Sequence, residues 1–417
     1  MSTSRYARLL LAALTLTSFT ISLAAAAAPK KADSDGPSFG GPTLAEPQVA
    51  DSPSLEPIPA DEADSTPRQR SSLSDNRAAI EQAYSKSRSA RVESDYSNII
   101  DLCRAGIEGG VTPKLETYGG RLMAWALNRR GEIRAKDGRD VLALKDFAAA
   151  VGLDPTLWRA VHNRGVSYAT LGKYPQAIAD FDRTIKLRPN YPNAYFNRGE
   201  LLYEMADYPA AIEDYNQAIR LAPQDSAAYN SRGHAKYRLH KHREAIQDYS
   251  EAIQRQPDNA AAYTNRGDAY ADLRQWGKAA EDYRSAIRHN PKLGRAYQSA
   301  AWLMATCPDR QFRNSRLAVP TAERAIELDG EEDFRNLATL AAAHATAGHF
   351  DEAVQAQEKV LKIAPKKDYV RNERRLKLYQ QHMPFREAPA VAQQGPPENV
   401  RQARGRMRPP NGATARQ

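Results

Sequence analysis

The chain has 417 residues, a formal net charge of +9 and two cysteines. The positive excess is spread along the chain and forms no single patch of the kind that marks a nucleic-acid footprint, so nucleic acid is not an expected partner. Cys103 and Cys307 lie too far apart to staple a small fold, so no disulfide partner is expected and stability has to come from packing.

At the N-terminus, Arg5 and Arg8 precede an apolar stretch over residues 9–23, followed by an alanine run at 24–28 and Pro29. This is the layout of a signal peptide over 1–28, cleaved within the alanine run. Residues 9–28 also just reach across a hydrocarbon core of ~30 Å, but Thr15, Thr17, Ser18, Thr20 and Ser22 weaken an uncleaved anchor. On either reading the remainder is exported, periplasmic or extracellular, with membrane contact only if the signal stays attached. Residues 29–74 are rich in Pro, Ser and Asp and carry few aromatic residues, so they read as a disordered acidic linker.

Beyond the linker, Pro155, Pro189, Pro223, Pro257 and Pro291 recur every 34 residues. Self-similarity at that period means one supersecondary unit copied along the chain, each copy burying its apolar face on its neighbours. The stretch 157–190 divides around Gly172 and Lys173 into two segments of helical periodicity, with Val161, Tyr168 and Leu171 in one and Ile178, Phe181 and Ile185 in the other. Each repeat is therefore a helix A followed by an antiparallel helix B. Gly165, Gly199, Gly233 and Gly267 sit inside helix A, where glycine costs about 1 kcal/mol against alanine. A cost repeated at one phase implies close approach of the two helices, and Ala177, Ala211, Ala245 and Ala279 are small at the facing phase. Each ladder proline ends helix B, since it lacks an N–H and disfavours helix before itself.

Two further residue types travel together. Arg130, Arg164, Arg198, Arg232 and Arg266 precede the helix A glycine, and Asp146, Asp180, Asp214, Asp248 and Asp282 precede the helix B aromatic. Both are missing together from the late copies, where Ala300 and Leu340 replace arginine and Thr321 and Ala356 replace aspartate. Joint presence and joint loss point to structural ion pairs, with arginine suited to gripping a carboxylate at two points. The other reading is an arginine row that grips a ligand.

Together these residues resemble the tetratricopeptide repeat, with glycine in helix A, a small residue near the start of helix B, an aromatic four residues later (Phe181, Tyr215, Tyr249, Tyr283) and proline near the end. Strong copies run over 157–190, 191–224, 225–258 and 259–292, preceded by one at 123–156 with Gly131, Gly138, Phe147 and Pro155. Residues 293–332 carry an insertion at 307–316 and have Gly330 in the proline position; 333–366 returns to form with Ala341, Gly348 and Pro365. Residues 96–107 match a helix B in phase, so 75–122 reads as a degenerate N-terminal repeat region. The array spans 123–366, and Tyr369, Val370, Leu376 and Tyr379 mark one side of a capping helix at 367–383. The basic remainder, 384–417, reads as a disordered tail. The resemblance implies an all-α, right-handed α-solenoid of about seven to eight repeats.

In that family the concave surface lined by the helices A binds extended peptides or partner helices. The residue two before the glycine, Asn163, Asn197, Ser231 and Asn265, is similar to the asparagine ladder by which some members hold a peptide backbone through an amide that both donates and accepts. His162, Phe196, Asn230 and Thr264 precede it, and Val166, Glu200, His234 and Asp268 follow the glycine. The lysine and asparagine of a carboxylate clamp are missing from these phases, so an acidic C-terminal tail is not the expected ligand. Glu200, Glu204, Asp268 and Asp272 make the same face acidic, favouring a neutral or basic ligand, or are ordinary solvated helix positions.

No catalytic constellation is assembled: phosphate-binding glycine loops, a GxSxG elbow and HExxH are absent. His240 and His242 bracket a turn without a cysteine or carboxylate cluster nearby and read as exposed turn residues rather than metal ligands. The expectation is a non-catalytic scaffold for a protein or peptide, without cofactor or metal. The alternative is a cell-envelope module that holds a polyanion, a cell-wall polymer or anionic lipid, on its basic tail and faces.

Overall fold

The computed structural model describes residues 67–387, with side chains from residue 73. The export signal, most of the acidic linker and the tail from residue 388 lie outside the described residues. Seventeen α-helices and no strand occur among the described residues. They fall into eight antiparallel pairs: α1 (Pro67–Ser87) with α2 (Glu93–Glu108), α3 (Pro113–Lys136) with α4 (Asp140–Leu153), α5 (Trp158–Thr170) with α6 (Tyr174–Leu187), and α7 (Pro192–Glu204) with α8 (Tyr208–Leu221). There follow α9 (Ser226–Arg238) with α10 (His242–Arg255), α11 (Ala260–Asp272) with α12 (Trp276–His289), α13 (Gly294–Thr306) with α14 (Ser315–Asp329), and α15 (Phe334–Ala347) with α16 (Phe350–Ile363). A last helix, α17 (Tyr369–Gln380), closes the stack, and none of these helices is long and apolar enough to cross a membrane.

Each helix packs on its partner in the pair and on the next pair, which is the α-solenoid the 34-residue period implies. The glycine ladder has a direct steric cause. A Cβ on Gly199 would stand 2.9 Å from Tyr215 Cε1, and one on Gly267 2.6 Å from Tyr283 Cε1. In the last two pairs the ring is gone, Ala322 and Gln357 standing in its place, and the glycine has become Ala301 and Ala341, both buried. Helix A accepts a methyl only where helix B has given up its aromatic. Gly330 closes α14 at φ 87°, a backbone that proline, fixed near −65°, cannot adopt.

At four of its five positions the arginine ladder ties three helices at once. Arg164 grips Asp180 at 2.8 and 2.7 Å, Arg198 grips Asp214 at 2.7 and 2.6 Å, and Arg232 and Arg266 do the same to Asp248 and Asp282. Arg130 holds Asp146 likewise at 3.0 and 2.8 Å. The remaining guanidinium nitrogen reaches helix B of the preceding pair, where Arg130 meets Ser97, Arg198 meets Asp182, Arg232 meets Asn216 and Arg266 meets Ser250. In the late pairs, where the arginine is absent, Ala301, Ala305, Ala318, Ala322, Ala342 and Ala343 pack together instead.

The ends differ from the sequence reading in three places. Helix α1 begins at Pro67, inside the stretch read as linker, because Ile80 and Ala83 bury completely among Ile99, Ile100, Cys103, Leu115 and Leu122. On α17 the buried side is Asn372, Arg375 and Tyr379, whereas Tyr369 and Val370 are exposed. The polar members face inward because Gln357, itself fully buried, donates to the Asn372 carbonyl and side chain at 3.1 and 3.2 Å. Finally, residues 384–387, read as the start of a disordered tail, are half-buried against α13 and α15. Both cysteines are free and buried.

Two substitutions test this scheme. Gly267→Ala is expected to lower unfolding stability by about 1–3 kcal/mol through overpacking against Tyr283, measured by chemical denaturation. Arg164→Ala strands the Asp180 carboxylate, which is only 4% exposed, and should cost about 3 kcal/mol; an unchanged denaturation midpoint would return the arginine row to a ligand-binding role.

Candidate peptide-binding groove

The helix A face was expected to present the asparagine ladder to a ligand, but most of the ladder's amide donors are already engaged. Asn163 Nδ2 donates to Asn128 Oδ1 at 3.0 Å and to Glu132 Oε1 at 3.2 Å, and Asn265 Nδ2 donates to Asn230 Oδ1 at 3.1 Å. Asn197 Nδ2 lies 3.1 Å from His162 Nε2. Each of these amides reaches back into the preceding helix A and stitches neighbouring repeats. Asn163 and Asn265 are accordingly buried, as are His162 and Thr264, while Asn197, Asn230, Ser231, Val166 and Phe196 are half-buried.

The acidic character read along this face is also reduced. Glu200 is 1% exposed, and its Oε1 accepts from Tyr215 Oη at 2.7 Å. Burial pushes its carboxyl up to about 7, against the smaller opposing pull of Tyr215 and Ser231. Asp268 is neutralised by Arg295 of the next repeat at 2.7 Å and accepts from Tyr283 Oη at 2.8 Å. Glu204 and Asp272 remain at the surface. Burial lowers the His162 imidazole to about 4; it lowers His234 to about 3, with help from Arg295 and Arg238. Both rings are therefore neutral at physiological pH, and His234 Nε2 lies 3.3 Å from the Tyr203 hydroxyl.

The histidines at the turn hold no metal arrangement: His240 is exposed, but His242 is half-buried against the Tyr237 ring with Nδ1 3.7 Å from Asp272 Oδ2. Among the described residues no three His, Cys, Asp or Glu side chains gather as metal ligands.

The same face continues onto α13, the helix just before the insertion, and there it carries polypeptide. Trp302 stands 34 residues after Asp268, in the phase of Val166, Glu200 and His234. The chain leaves α17, reverses at His382 in the left-handed region (φ 55°), and runs back over α13. Glu387 N donates to the Thr306 carbonyl at 3.0 Å, while the Glu387 carboxylate accepts from Trp302 Nε1 at 2.8 Å and Arg274 Nη1 at 3.1 Å. Arg386 Nη1 donates to the Ala305 carbonyl at 2.9 Å and to Thr346 Oγ1 at 2.8 Å. The groove residues named from the sequence end at Asp268, in the last repeat that keeps the arginine and the aspartate. The 34-residue step itself, carried one copy further, points to Trp302.

Glu200 provides a test of this electrostatic picture. The folded chain holds a proton on Glu200 that the unfolded chain releases above its ordinary 4.5, so folding stability falls as pH rises from about 4.5 to about 7. Glu200→Gln should remove that fall, giving a chain more stable than the parent above pH 7 by up to about 3 kcal/mol and no advantage below pH 4.5, as read from denaturation curves across pH.

Tetratricopeptide repeat family models match residues 162–226, 230–294 and 334–367. Among solved structures the chain is similar to MamA from Desulfovibrio magneticus RS-1, with 21% identity over 40% of this chain and 95% of that one and a TM-score of 0.38. It is similar to yeast Tom70, with 18% identity over 79% and 67% and a TM-score of 0.42. It is also similar to the APC/C hetero-tetramer Cut9–Hcn1, with 15% identity over 69% and 53% and a TM-score of 0.51, a likeness of fold. No curated protein matches the chain by sequence.

Proposed function

Because the chain belongs to the tetratricopeptide repeat family, we propose that it is a non-catalytic interaction scaffold that binds an extended peptide or partner helix along its helix A face, outside the cytoplasm. The observation that supports this reading is the main-chain bond from Glu387 N to the Thr306 carbonyl, in which non-helical backbone lies against the end of a helix A. Phe196, Asn230, Ser231 and His234 lie half-buried on the same face in the regular repeats and offer an aromatic ring, an amide, a hydroxyl and a neutral imidazole to a ligand. Such a set suits a neutral chain that needs backbone partners and an apolar contact. The extracytoplasmic location is supported by the signal-like pattern around Arg5, Arg8 and the alanine run.

The test is capture of binding peptides from a random extended-peptide display library by the purified chain, repeated with Val166→Arg and Ser231→Arg. Binding should fall at least tenfold with the helical circular dichroism unchanged. It should weaken only modestly between low and high salt, whereas a steep fall would mark counterion release from a polyanion. Capture indifferent to both substitutions would sink the groove reading.

A further inference from the structure

We infer that Phe385, Arg386 and Glu387 are a built-in ligand of the groove, held in cis, which an external partner must displace by presenting the same chemistry: an extended peptide with an aromatic residue two positions before a carboxylate. This rests on the helix A face being the binding surface and specifies its regulation and its ligand class.

The segment joins an apolar contact, Phe385 against the cluster of Ala341, Ala345, Ala353, Ala356 and Tyr379, to polar contacts of the kind used in recognition, made by Arg386 and Glu387. Helix α17 already covers the last repeat, with Tyr379 fully buried among Ala341, Ala345, Ala353 and Ala356. Residues 384–387 stay half-exposed and lie on top. The Glu387 carboxylate is shared by an indole N–H and a guanidinium, a charge-assisted pair of donors that any peptide carboxylate could take over. The Phe385 ring lies 6.0 Å from the Trp302 ring, and the Arg375 guanidinium lies 4.6 Å from one ring centroid and 4.7 Å from the other. The Arg375 guanidinium therefore meets both rings, which also contact each other, and an aromatic side chain completes this cation–π cluster. Arg274 and Arg375 make this end of the face cationic, in contrast to the regular repeats, so an acidic residue is the one to seat here.

A ligand tethered a few residues from its site experiences an effective concentration in the millimolar range. Modest contacts suffice to keep the site filled, and a free peptide competes only when the tethered one is weakened.

The probe is a fluorescein-labelled synthetic peptide of residues 382–391 of this chain, titrated by anisotropy against the full chain, a chain ending at Met383, and the full chain with Glu387→Gln. Binding to the chain ending at Met383 should be at least tenfold tighter than to the full chain, with Glu387→Gln in between. Trp302→Phe in the shortened chain, which keeps a ring and removes the donor, should weaken binding about tenfold. Absence of binding to a shortened chain of unchanged helicity overturns the inference. Should shortening unfold the array, Glu387→Gln carries the test, and no gain over the parent chain overturns it. A dimer on sizing that reverts to monomer on removal of residues 384–417 shows exchange between copies and overturns the assignment in cis. Should only this inference be wrong, Val166→Arg and Ser231→Arg will abolish capture of external peptides while loss of residues 384–417 leaves it unchanged. Should the groove reading be wrong, neither change will matter.

Discussion

The regular repeats depend on one interaction, the arginine of helix A that grips the aspartate of its own helix B and, at four of five positions, reaches back to helix B of the pair before. The carboxylates are nearly buried, so each fork fixes the spacing and rotation of two helices at a point where misalignment would leave a charge without its partner. The neighbouring glycine then admits the aromatic ring of helix B against the backbone of helix A. Fork and ring sit on consecutive residues of each helix, so one contact region sets the polar and apolar registers together.

The same logic explains where the array changes character. After α12 the fork and the ring are lost together, and alanines fill the space between α13, α14 and α15. Alanine packing imposes less directional order than a bidentate ion pair. On α13, Trp302, in the phase of Asp268, then turns its indole N–H to the Glu387 carboxylate of the chain's own returning segment. The regular repeats, by contrast, spend most of their groove polarity internally: the Asn163 and Asn265 amides stitch repeats, Asp268 is paired with Arg295, and Glu200 lies under Tyr215.

This division shows how much of the site could be read from the chain. The phases of the groove were legible because a 34-residue step returns to the same face of the same helix. Whether an asparagine in that phase points to solvent or to its neighbour depends on which residue stands 35 positions earlier in the adjacent helix, and Asn128, His162 and Asn230 happen to be acceptors. The acidity assigned to Glu200 and Asp268 failed for a related reason, since burial and a cation from the next repeat are properties of packing.

The amino-acid sequence alone determined the repeat, its helical pairs, the close approach that demands glycine, and the pairing of arginine with aspartate, because periodic placement of residue types forces all of these locally or between adjacent helices. It also carried the tetratricopeptide family. Tertiary structure alone decided that α1 reaches into the stretch read as linker, that the cap turns Asn372 and Arg375 inward, and that residues 384–387 lie back across Trp302. These are contacts between segments with no shared period, the last joining residues 85 apart, and no local pattern records them.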